Sequence, residues 1–268
     1  MKLGLCFTGG GARGAYQIGA CMALKEAGIL DKVEYFAGTS IGAANAALVA
    51  SIPLEEVKNI WFNMPDDILY STENFFKRLT KEKTSIIKNG LFTIESLLKV
   101  LKKHLDIQTL LQKKVFVTLS RVGSDGDGLL SLIASSYKHY FKHDRQVIYS
   151  PLWEQSENHI YKQIIASCSI PVVFPLQRMD GQQFADGGVY DNVPVLPLVG
   201  SGCDTVIVIH LDRLPYFYKK HYPNVKFHSI KSRHSLGSIL KFEDKQSVTR
   251  YEMGYNDCKK YLETNEIL

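Results

Sequence analysis

Gly38-Thr39-Ser40-Ile41-Gly42 lies between an apolar run that ends at Ala37 and an alanine-rich run that extends to Ala50. This order predicts a strand, a tight turn and a helix, with Ser40 in the turn. The G-x-S-x-G spacing is that of a nucleophile elbow, which holds a serine hydroxyl at the head of a helix. Glycines suit the turn because it needs backbone angles and close approaches that a side chain resists. The helix N-terminus also favours negative charge beside the serine.

A second glycine-rich stretch, Gly9-Gly10-Gly11-Ala12-Arg13-Gly14, follows an apolar run at residues 3–8 and precedes a predicted helix at residues 15–27. Successive backbone N–H groups at the start of a helix form an anion site. If the two predicted strands are neighbours, these N–H groups lie beside Ser40. An acyl-transfer reaction needs such donors for its tetrahedral oxyanion.

The same glycine stretch has an alternative interpretation, because Gly9-x-Gly11-x-x-Gly14 matches the dinucleotide-binding fingerprint. That fingerprint expects an acidic residue at the end of the second strand. Here Glu34 lies at the beginning of that strand, and the serine turn occupies its end. NAD or NADP binding would also leave the elbow unexplained, so we favour an oxyanion loop.

Composition indicates an ordinary globular protein, with 268 residues of which 45% are hydrophobic and 22% charged. One domain over residues 1–268 is the simplest organisation. The net charge of +5 permits contact with anionic lipid surfaces and does not indicate a nucleic-acid partner. No run approaches 18 apolar residues, so no transmembrane helix is predicted. The five widely spaced cysteines predict free thiols, hence a cytoplasmic protein without a cysteine metal site.

Two longer segments have less specific patterns. Residues 53–112 are predicted to be mostly helical, and their lysine-rich middle fits either a lid or a solvated helix. Residues 213–235 are basic and aromatic, which suits a peripheral membrane interface as well as a solvated loop. The other predicted elements are strands at 115–119, 129–134, 183–185 and 205–211, a turn at 124–128, and helices at 161–167 and 243–262.

A third motif, Asp186-Gly187-Gly188, follows the short apolar run at residues 183–185. With the two glycine stretches before it, it resembles the patatin-like phospholipase family, which is written G-G-G-x-R-G, G-x-S-x-G and D-G-G or D-G-A. Residues 166–175 are similar to the A-S-x-x-x-P-x-x-F-P passage of that family, and Gly254-Tyr255 is similar to its last helix. The resemblance spans almost the whole chain.

The resemblance implies a three-layer α/β/α fold with a mostly parallel central sheet. It also implies a Ser–Asp dyad, with Ser40 as the nucleophile, Asp186 as the base and the N–H groups of Gly9, Gly10 and Gly11 as the oxyanion hole. The implied activity is hydrolysis of lipid carboxylic esters, as a phospholipase A, lysophospholipase or acyl esterase, without metal or cofactor. The supporting motif residues are Arg13, which would hold the loop or contact a phosphate, and Gly14, Gly38, Gly42, Gly187 and Gly188.

The chemistry of such a dyad can be judged from the residues themselves. A carboxylate near its ordinary pKa of about 4 is a weak base for a serine hydroxyl. Partial desolvation of Asp186 would raise that pKa and strengthen the base. Esters also have better leaving groups than amides, so a Ser–Asp dyad suits ester substrates.

Two alternatives remain. Ser40, Asp186 and His210 occur in the order of an α/β-hydrolase triad, but only two predicted strands precede the elbow, which is too few for that fold. We therefore predict a structural role for His210 and a surface position for the other seven of the eight histidines. The second alternative is a catalytically weak regulatory or lipid-binding protein on the same fold.

Overall fold

The central feature is one sheet, formed by eight strands in the residues that the computed structural model describes: 1–64, 94–122, 146–171, 174–212, 217, 219–240, 242 and 244–268. The strands are β1 (Leu3–Phe7), β2 (Val33–Gly38), β3 (Lys114–Val122), β4 (Val147–Pro151), β5 (Gln177–Met179), β6 (Gln182–Asp186), β7 (Thr205–Ile209) and β8 (Lys226–Ile230). Their order is β5-β6-β3-β2-β1-β7-β8, and β4 also pairs with β3.

The helices of the described residues are α1 (Ala15–Glu26), α2 (Ile41–Ser51), α3 (Leu54–Phe62), α4 (Glu95–His104), α5 (Ile107–Leu111), α6 (Glu157–Ser167), α7 (Leu196–Gly200) and α8 (Asp244–Leu262). The predicted boundaries of α1 and β1 are within one residue of these. The serine turn leads directly into α2, as predicted.

The middle of the sheet is parallel, because β3, β2, β1, β7 and β8 all run in the same direction. Strands β4 and β6 are antiparallel to β3, and β5 is antiparallel to β6. Every residue of β1 and β7 is buried, as expected for parallel strands that are covered on both faces. The predicted α/β fold with a mostly parallel sheet is confirmed.

Apolar side chains cover the sheet on both faces. The larger core packs α1, α2, α3, α6 and α8 against one face. On the other face, a smaller cluster packs α7 against β1 and β7, through Leu198, Val206 and Val208. The chain therefore has three layers, with the thicker helical layer on one side.

Strand register brings the three sequence motifs to one edge. Phe7 pairs with Gly38, so β1 and β2 end side by side and the two glycine stretches follow them. Gly38 also pairs with Val117 of β3, and Asp186 pairs with Leu119 two residues further along that strand. Antiparallel β6 thus places Asp186 beside the carboxyl ends of the parallel strands.

The structure corrects part of the sequence analysis. Residues 226–230 are not a solvated loop but form β8, and Phe217 packs against Phe227 beside it. The helical prediction for residues 53–112 holds for α3, α4 and α5. Its lysine-rich middle, the turn at 124–128 and the strand at 129–134 lie outside the described residues. Among the described helices, none has the length and apolar character needed to cross a membrane.

Helices α1 and α8 approach so closely that glycine is required on both. A Cβ atom on Gly19 would lie 1.9 Å from the carbonyl oxygen of Tyr251, and one on Gly254 would lie 1.9 Å from that of Tyr16. Real Cβ atoms do not approach backbone oxygens this closely. The contact anchors the C-terminal helix to the helix that begins after the first glycine stretch.

We expect Gly254→Ala to lower the free energy of unfolding by about 2 kcal/mol or more, because the new methyl group forces α1 and α8 apart. Gly200→Ala is the matched control, since a Cβ at Gly200 meets nothing within 4 Å. The control should change stability by no more than about 0.5 kcal/mol. Urea denaturation measures both variants, and equal stabilities would contradict the packing argument.

Candidate active site

Ser40 occupies a strained backbone position at the start of α2. Its φ and ψ angles are 55° and −131°, in a region that disfavours a side chain and costs about 1–3 kcal/mol. Its N–H donates to Ser167 Oγ at 2.9 Å, and Ser167 Oγ donates to the Thr118 carbonyl at 2.7 Å. These bonds tie the elbow to α6 and β3.

The glycines on either side of Ser40 allow backbone to approach backbone. A Cβ on Gly42 would lie 2.4 Å from the carbonyl oxygen of Phe7 at the end of β1. A Cβ on Gly38 would clash with the carbonyl of Gly42 itself, at 2.2 Å. The elbow therefore closes on itself because Gly38 lacks a side chain, and it fits against β1 because Gly42 lacks one.

Asp186 lies against Ser40 and is almost completely buried, with 5% of its surface exposed. Ser40 Oγ donates to Asp186 Oδ2 at 2.5 Å, and the Gly188 N–H donates to the other carboxylate oxygen at 2.8 Å. The backbone N–H of Asp186 donates to the Ser169 carbonyl at 2.9 Å. Burial raises the pKa of Asp186 to about 7, although the hydrogen bonds from Ser40 and Gly188 oppose that shift.

The first glycine stretch curves past Ser40 and presents backbone N–H groups to the same cleft. The Gly9 N–H donates to Asn192 Oδ1 at 3.1 Å. The Ala12 N–H donates to the Ile239 carbonyl at 2.8 Å. For the N–H groups of Gly10 and Gly11, no acceptor is found within the described parts of the chain. Those two groups can therefore take a hydrogen-bond acceptor from outside.

The Arg13 side chain hydrogen-bonds to residues 211, 212 and 237. Its Nη1 donates to Asp212 Oδ1 at 2.8 Å, and its Nε donates to the Gly237 carbonyl at 2.8 Å. A weaker bond of 3.4 Å joins Nη1 to the Leu211 carbonyl. These contacts favour the loop-holding role over the phosphate contact that the sequence also allowed.

Two spaces meet at Ser40. An open cleft is lined by the glycine loop, Ser40, Asp186 and Asn192. Beside it lies an apolar pocket, which shares Gly11 and Ser40 with the cleft. Its wall includes Ile41, Met64, Leu97, Ile170, Phe174 and Phe242. Ser40 therefore borders both an open cleft and an apolar pocket.

The patatin-like phospholipase family matches residues 5–199, about three quarters of the chain, including all three motifs that meet at the cleft. The chain belongs to this family. The resemblance inferred from the sequence is thus confirmed.

The sequence relatives are mostly longer patatin-like proteins. Lysophospholipase NTE1 of Candida glabrata is 26% identical over 236 residues, which cover 81% of this chain and 11% of that protein. The mouse 1-acylglycerol-3-phosphate O-acyltransferase Pnpla3 is 27% identical over 200 residues, which cover 72% of this chain and 40% of the mouse protein. This chain therefore spans less than half the length of either relative.

Solved structures agree with the patatin-like fold. VipD from Legionella pneumophila superposes with a TM-score of 0.52 at 12% identity, covering 98% of this chain and 67% of VipD. Human GIVD cytosolic phospholipase A2 gives a TM-score of 0.51 at 12% identity, covering 98% of this chain and 58% of the human chain. At such low identity these matches concern the fold alone.

Among the described residues, no histidine is hydrogen-bonded to Ser40 or Asp186. His210 follows β7 and is buried, with its ring stacked on Phe217 at a centroid distance of 6.1 Å. Burial, together with Lys231 and Lys219, lowers the pKa of His210 to about 4. No histidine is among the described residues that line the cleft.

One histidine prediction is wrong. His228 is buried in β8, where its Nδ1 lies 3.0 Å from the Tyr261 hydroxyl, so it is not a surface residue. The error follows from the interpretation of residues 226–230 as a loop. Successive side chains of a strand point to opposite faces, and His228 points to a face of β8 that is covered.

No role was predicted from the sequence for three residues of the site: Ser167, Asn192 and Asp212. Ser167 lies in the A-S-x-x-x-P passage, and Asn192 lies shortly after the D-G-G motif, so both were next to recognised signals. Asp212 follows β7 and has no motif around it. Their roles depend on partners that are distant in the sequence.

We expect Asp186→Asn to raise the melting temperature at pH 8 by about 3 °C or more, since it removes a buried charge. A raised folded-state pKa means that the stability contribution of Asp186 is greatest below pH 4 and is lost as the pH rises through about 7. The gain from Asp186→Asn should therefore shrink as the pH falls from 8 to 4. Melting temperatures measured between pH 4 and pH 8 test the direction of this pH dependence.

The control for this prediction is Asp31→Asn, because the Asp31 side chain is 71% exposed. Its melting temperature should stay within about 1 °C of the wild type at every pH. A destabilised Asp186→Asn protein at pH 8 would contradict the inferred cost of burying this carboxylate.

Proposed function

We propose that this chain hydrolyses carboxylic esters of lipids, with Ser40 as the nucleophile and Asp186 as the base. The observation that carries the proposal is the 2.5 Å hydrogen bond from Ser40 Oγ to the buried Asp186 carboxylate. A hydroxyl held in a strained turn and bonded to a base is the arrangement that activates a nucleophile.

The first half of the proposed reaction forms an acyl-enzyme. Ser40 Oγ attacks the ester carbonyl carbon, while its proton passes to Asp186 Oδ2. The carbonyl oxygen becomes an oxyanion, which accepts hydrogen bonds from the N–H groups of Gly10 and Gly11. When the intermediate collapses, the bond to the leaving oxygen breaks and Asp186 returns the proton to the departing alcohol. The acyl group remains on Ser40.

The second half repeats these steps with water. Asp186 accepts a proton from the water molecule, whose oxygen attacks the acyl carbonyl carbon. The same N–H groups stabilise the second oxyanion. Collapse breaks the bond to Ser40 Oγ, which regains its proton from Asp186, and the carboxylic acid leaves. Each proton that Asp186 accepts is returned within the same half-reaction.

The pKa of about 7 supports this role for Asp186. A carboxylate with that pKa is a much stronger base than one at the ordinary value of about 4, and it is still largely ionised slightly above neutral pH. Burial therefore provides the raised pKa that a Ser–Asp dyad requires of its base. The Gly9 N–H is already donating to Asn192, so we centre the oxyanion hole on Gly10 and Gly11, with Gly9 at its rim.

The apolar pocket beside Ser40 supports a substrate with a long acyl chain. A phospholipid, a lysophospholipid or another long-chain ester would place its carbonyl at Ser40, its chain in the pocket and its polar end in the cleft. The name of one relative, a lysophospholipase, agrees with this substrate class.

We further propose that the segment 213–235 binds membrane surfaces through electrostatic attraction to anionic lipid. Lys219, Lys220, Lys231 and Arg233 are exposed, whereas the rings of Phe217 and Phe227 pack inward against the sheet. Contact with anionic lipid would therefore rest on the basic side chains rather than on inserted aromatic rings.

We expect Ser40→Ala and Asp186→Asn each to lower kcat on a long-chain p-nitrophenyl ester by about 10³-fold or more. Both proteins should keep the wild-type circular dichroism spectrum. A fluorophosphonate probe should label the wild type and fail to label Ser40→Ala. Loss of activity in Ser40→Ala alone would assign the base elsewhere. A wild type that neither hydrolyses any ester nor takes the probe would favour the lipid-binding alternative.

The pH profile should identify the base. Because the dyad needs ionised Asp186, kcat should rise as the pH passes through about 7. We expect His210→Ala to keep a similar kcat and the same midpoint, since the pKa of His210 lies near 4. A folded His210→Ala protein without activity, or with a shifted midpoint, would instead indicate a catalytic triad.

A further inference from the structure

A ring of hydrogen bonds, not used in the mechanism above, encloses the glycine loop. At one end of the loop, the Gly9 N–H donates to Asn192 Oδ1 at 3.1 Å. Asn192 Nδ2 donates to Asp212 Oδ2 at 3.3 Å, and Arg13 Nη1 donates to Asp212 Oδ1 at 2.8 Å. At the other end, the Arg13 backbone N–H donates to the Gly10 carbonyl at 3.2 Å. Asn192 and Asp212 therefore brace both ends of the loop and also bind each other.

The Asn192 carboxamide also lies between the loop and the base. A Cβ on Gly9 would lie 2.3 Å from Asn192 Oδ1, and a Cβ on Gly188 would lie 3.1 Å from the same oxygen. Gly188 is the residue whose N–H orients Asp186. One amide group thus sets the distance between the proposed oxyanion donors and the loop that holds the base.

The backbone next to Asn192 is tied to the nucleophile elbow. The carbonyl of Asp191 accepts a hydrogen bond from Thr39 Oγ1 at 3.0 Å. The Val193 N–H donates to Asp191 Oδ1 at 2.9 Å, which fixes the turn on the other side. Asn192 is consequently presented to Gly9 from a rigid support rather than from a free loop.

Hydrogen-bonding chemistry fixes the orientation of the amide. A backbone N–H can only donate and a carboxylate can only accept, so Oδ1 faces Gly9 and Nδ2 faces Asp212. Asparagine satisfies both partners at once, which neither aspartate nor an apolar residue does. Arg13 meanwhile balances the charge of Asp212, so the ring adds no net negative charge near the oxyanion.

We propose that Asn192 and Asp212 are positioning residues for the oxyanion hole. Asn192 accepts from the Gly9 N–H, and Asp212 holds Asn192 and Arg13. Together they fix the loop so that the N–H groups of Gly10 and Gly11 are aimed at the reacting carbonyl. This inference rests on the proposed function. Preorganised oxyanion donors contribute about 10²–10³-fold to kcat, so a loop released from the ring should lose a large part of that factor.

The decisive experiment exchanges the two side chains. Asn192→Asp alone sets two carboxylates against each other, and we expect it to lower kcat on a long-chain p-nitrophenyl ester by about 10²-fold. We expect Asp212→Asn alone to lower kcat by about 10-fold. In the double variant Asn192→Asp/Asp212→Asn, the new aspartate accepts from both Gly9 and the new amide. Its kcat should recover to within about 5-fold of the wild type.

The separate effects of the variants on kcat and KM distinguish a positioning role from a general loss of structure. KM should change by less than about 3-fold in all three variants, because the ring acts on the transition state rather than on substrate binding. Asn59→Asp and Asp31→Asn are the matched controls, since they make the same changes at exposed positions outside the cleft. Each should keep kcat within about 2-fold of the wild type.

Hydrogen–deuterium exchange of the peptide that contains residues 3–15 provides a test that is independent of activity. Exchange should accelerate in Asn192→Ala and return to the wild-type rate in the double exchange variant. If the wild type were inactive on esters, the proposed function would fail, and this measurement would still decide whether the ring holds the loop. A double variant as slow as Asn192→Asp, or unchanged exchange in Asn192→Ala, would overturn the inference.

Discussion

The hydrogen bond between Ser40 and the buried Asp186 is the interaction on which the site depends, and it imposes a cost on the fold. A carboxylate removed from water is stable only when its oxygens are hydrogen-bonded. Here one oxygen accepts from Ser40 Oγ and the other from the Gly188 N–H. The surrounding scaffold has to hold those donors without adding a cation that would return the pKa to its ordinary value. The parallel sheet, with strands buried on both faces, provides the rigid edge on which this is possible.

Much of the site is built from backbone rather than from side chains. Gly42 allows the elbow to approach β1. Gly187 allows the turn after β6 to approach β3, because a Cβ on Gly187 would lie only 2.4 Å from the carbonyl oxygen of Thr118. Such contacts bring strand ends closer than side chains would permit. They also explain why three short glycine motifs, far apart in the sequence, meet at one place. Each motif is a condition for close approach as well as the source of a group that lines the cleft.

The sequence predicted the elements and contacts that have local signals. Strand β1, helix α1 and the elbow follow from apolar runs and glycines, whereas the pairing of Ser40 with Asp186 was implied by the family resemblance that the three motifs carry. Strand β8 was not predicted, because its sequence Lys-Phe-His-Ser-Ile has charged and polar residues and lies in a basic segment. The contacts of Asn192 with Gly9 and of Asp212 with Arg13 join residues 183 and 199 positions apart. No local pattern encodes such pairings; they become visible only when the sheet order is known.

The ion pair of Arg13 is compatible with the raised pKa that burial gives Asp186, the proposed base. Within the described residues, the ion pair of Arg13 is with Asp212, and none includes Asp186. A guanidinium beside Asp186 would stabilise its ionised form, lower its pKa and make it a poorer proton acceptor. Pairing the arginine with Asp212 keeps its charge away from the base, while the same contact braces the glycine loop. The salt bridge between Arg13 and Asp212 thus braces the loop without opposing the effect of burial on the pKa of Asp186.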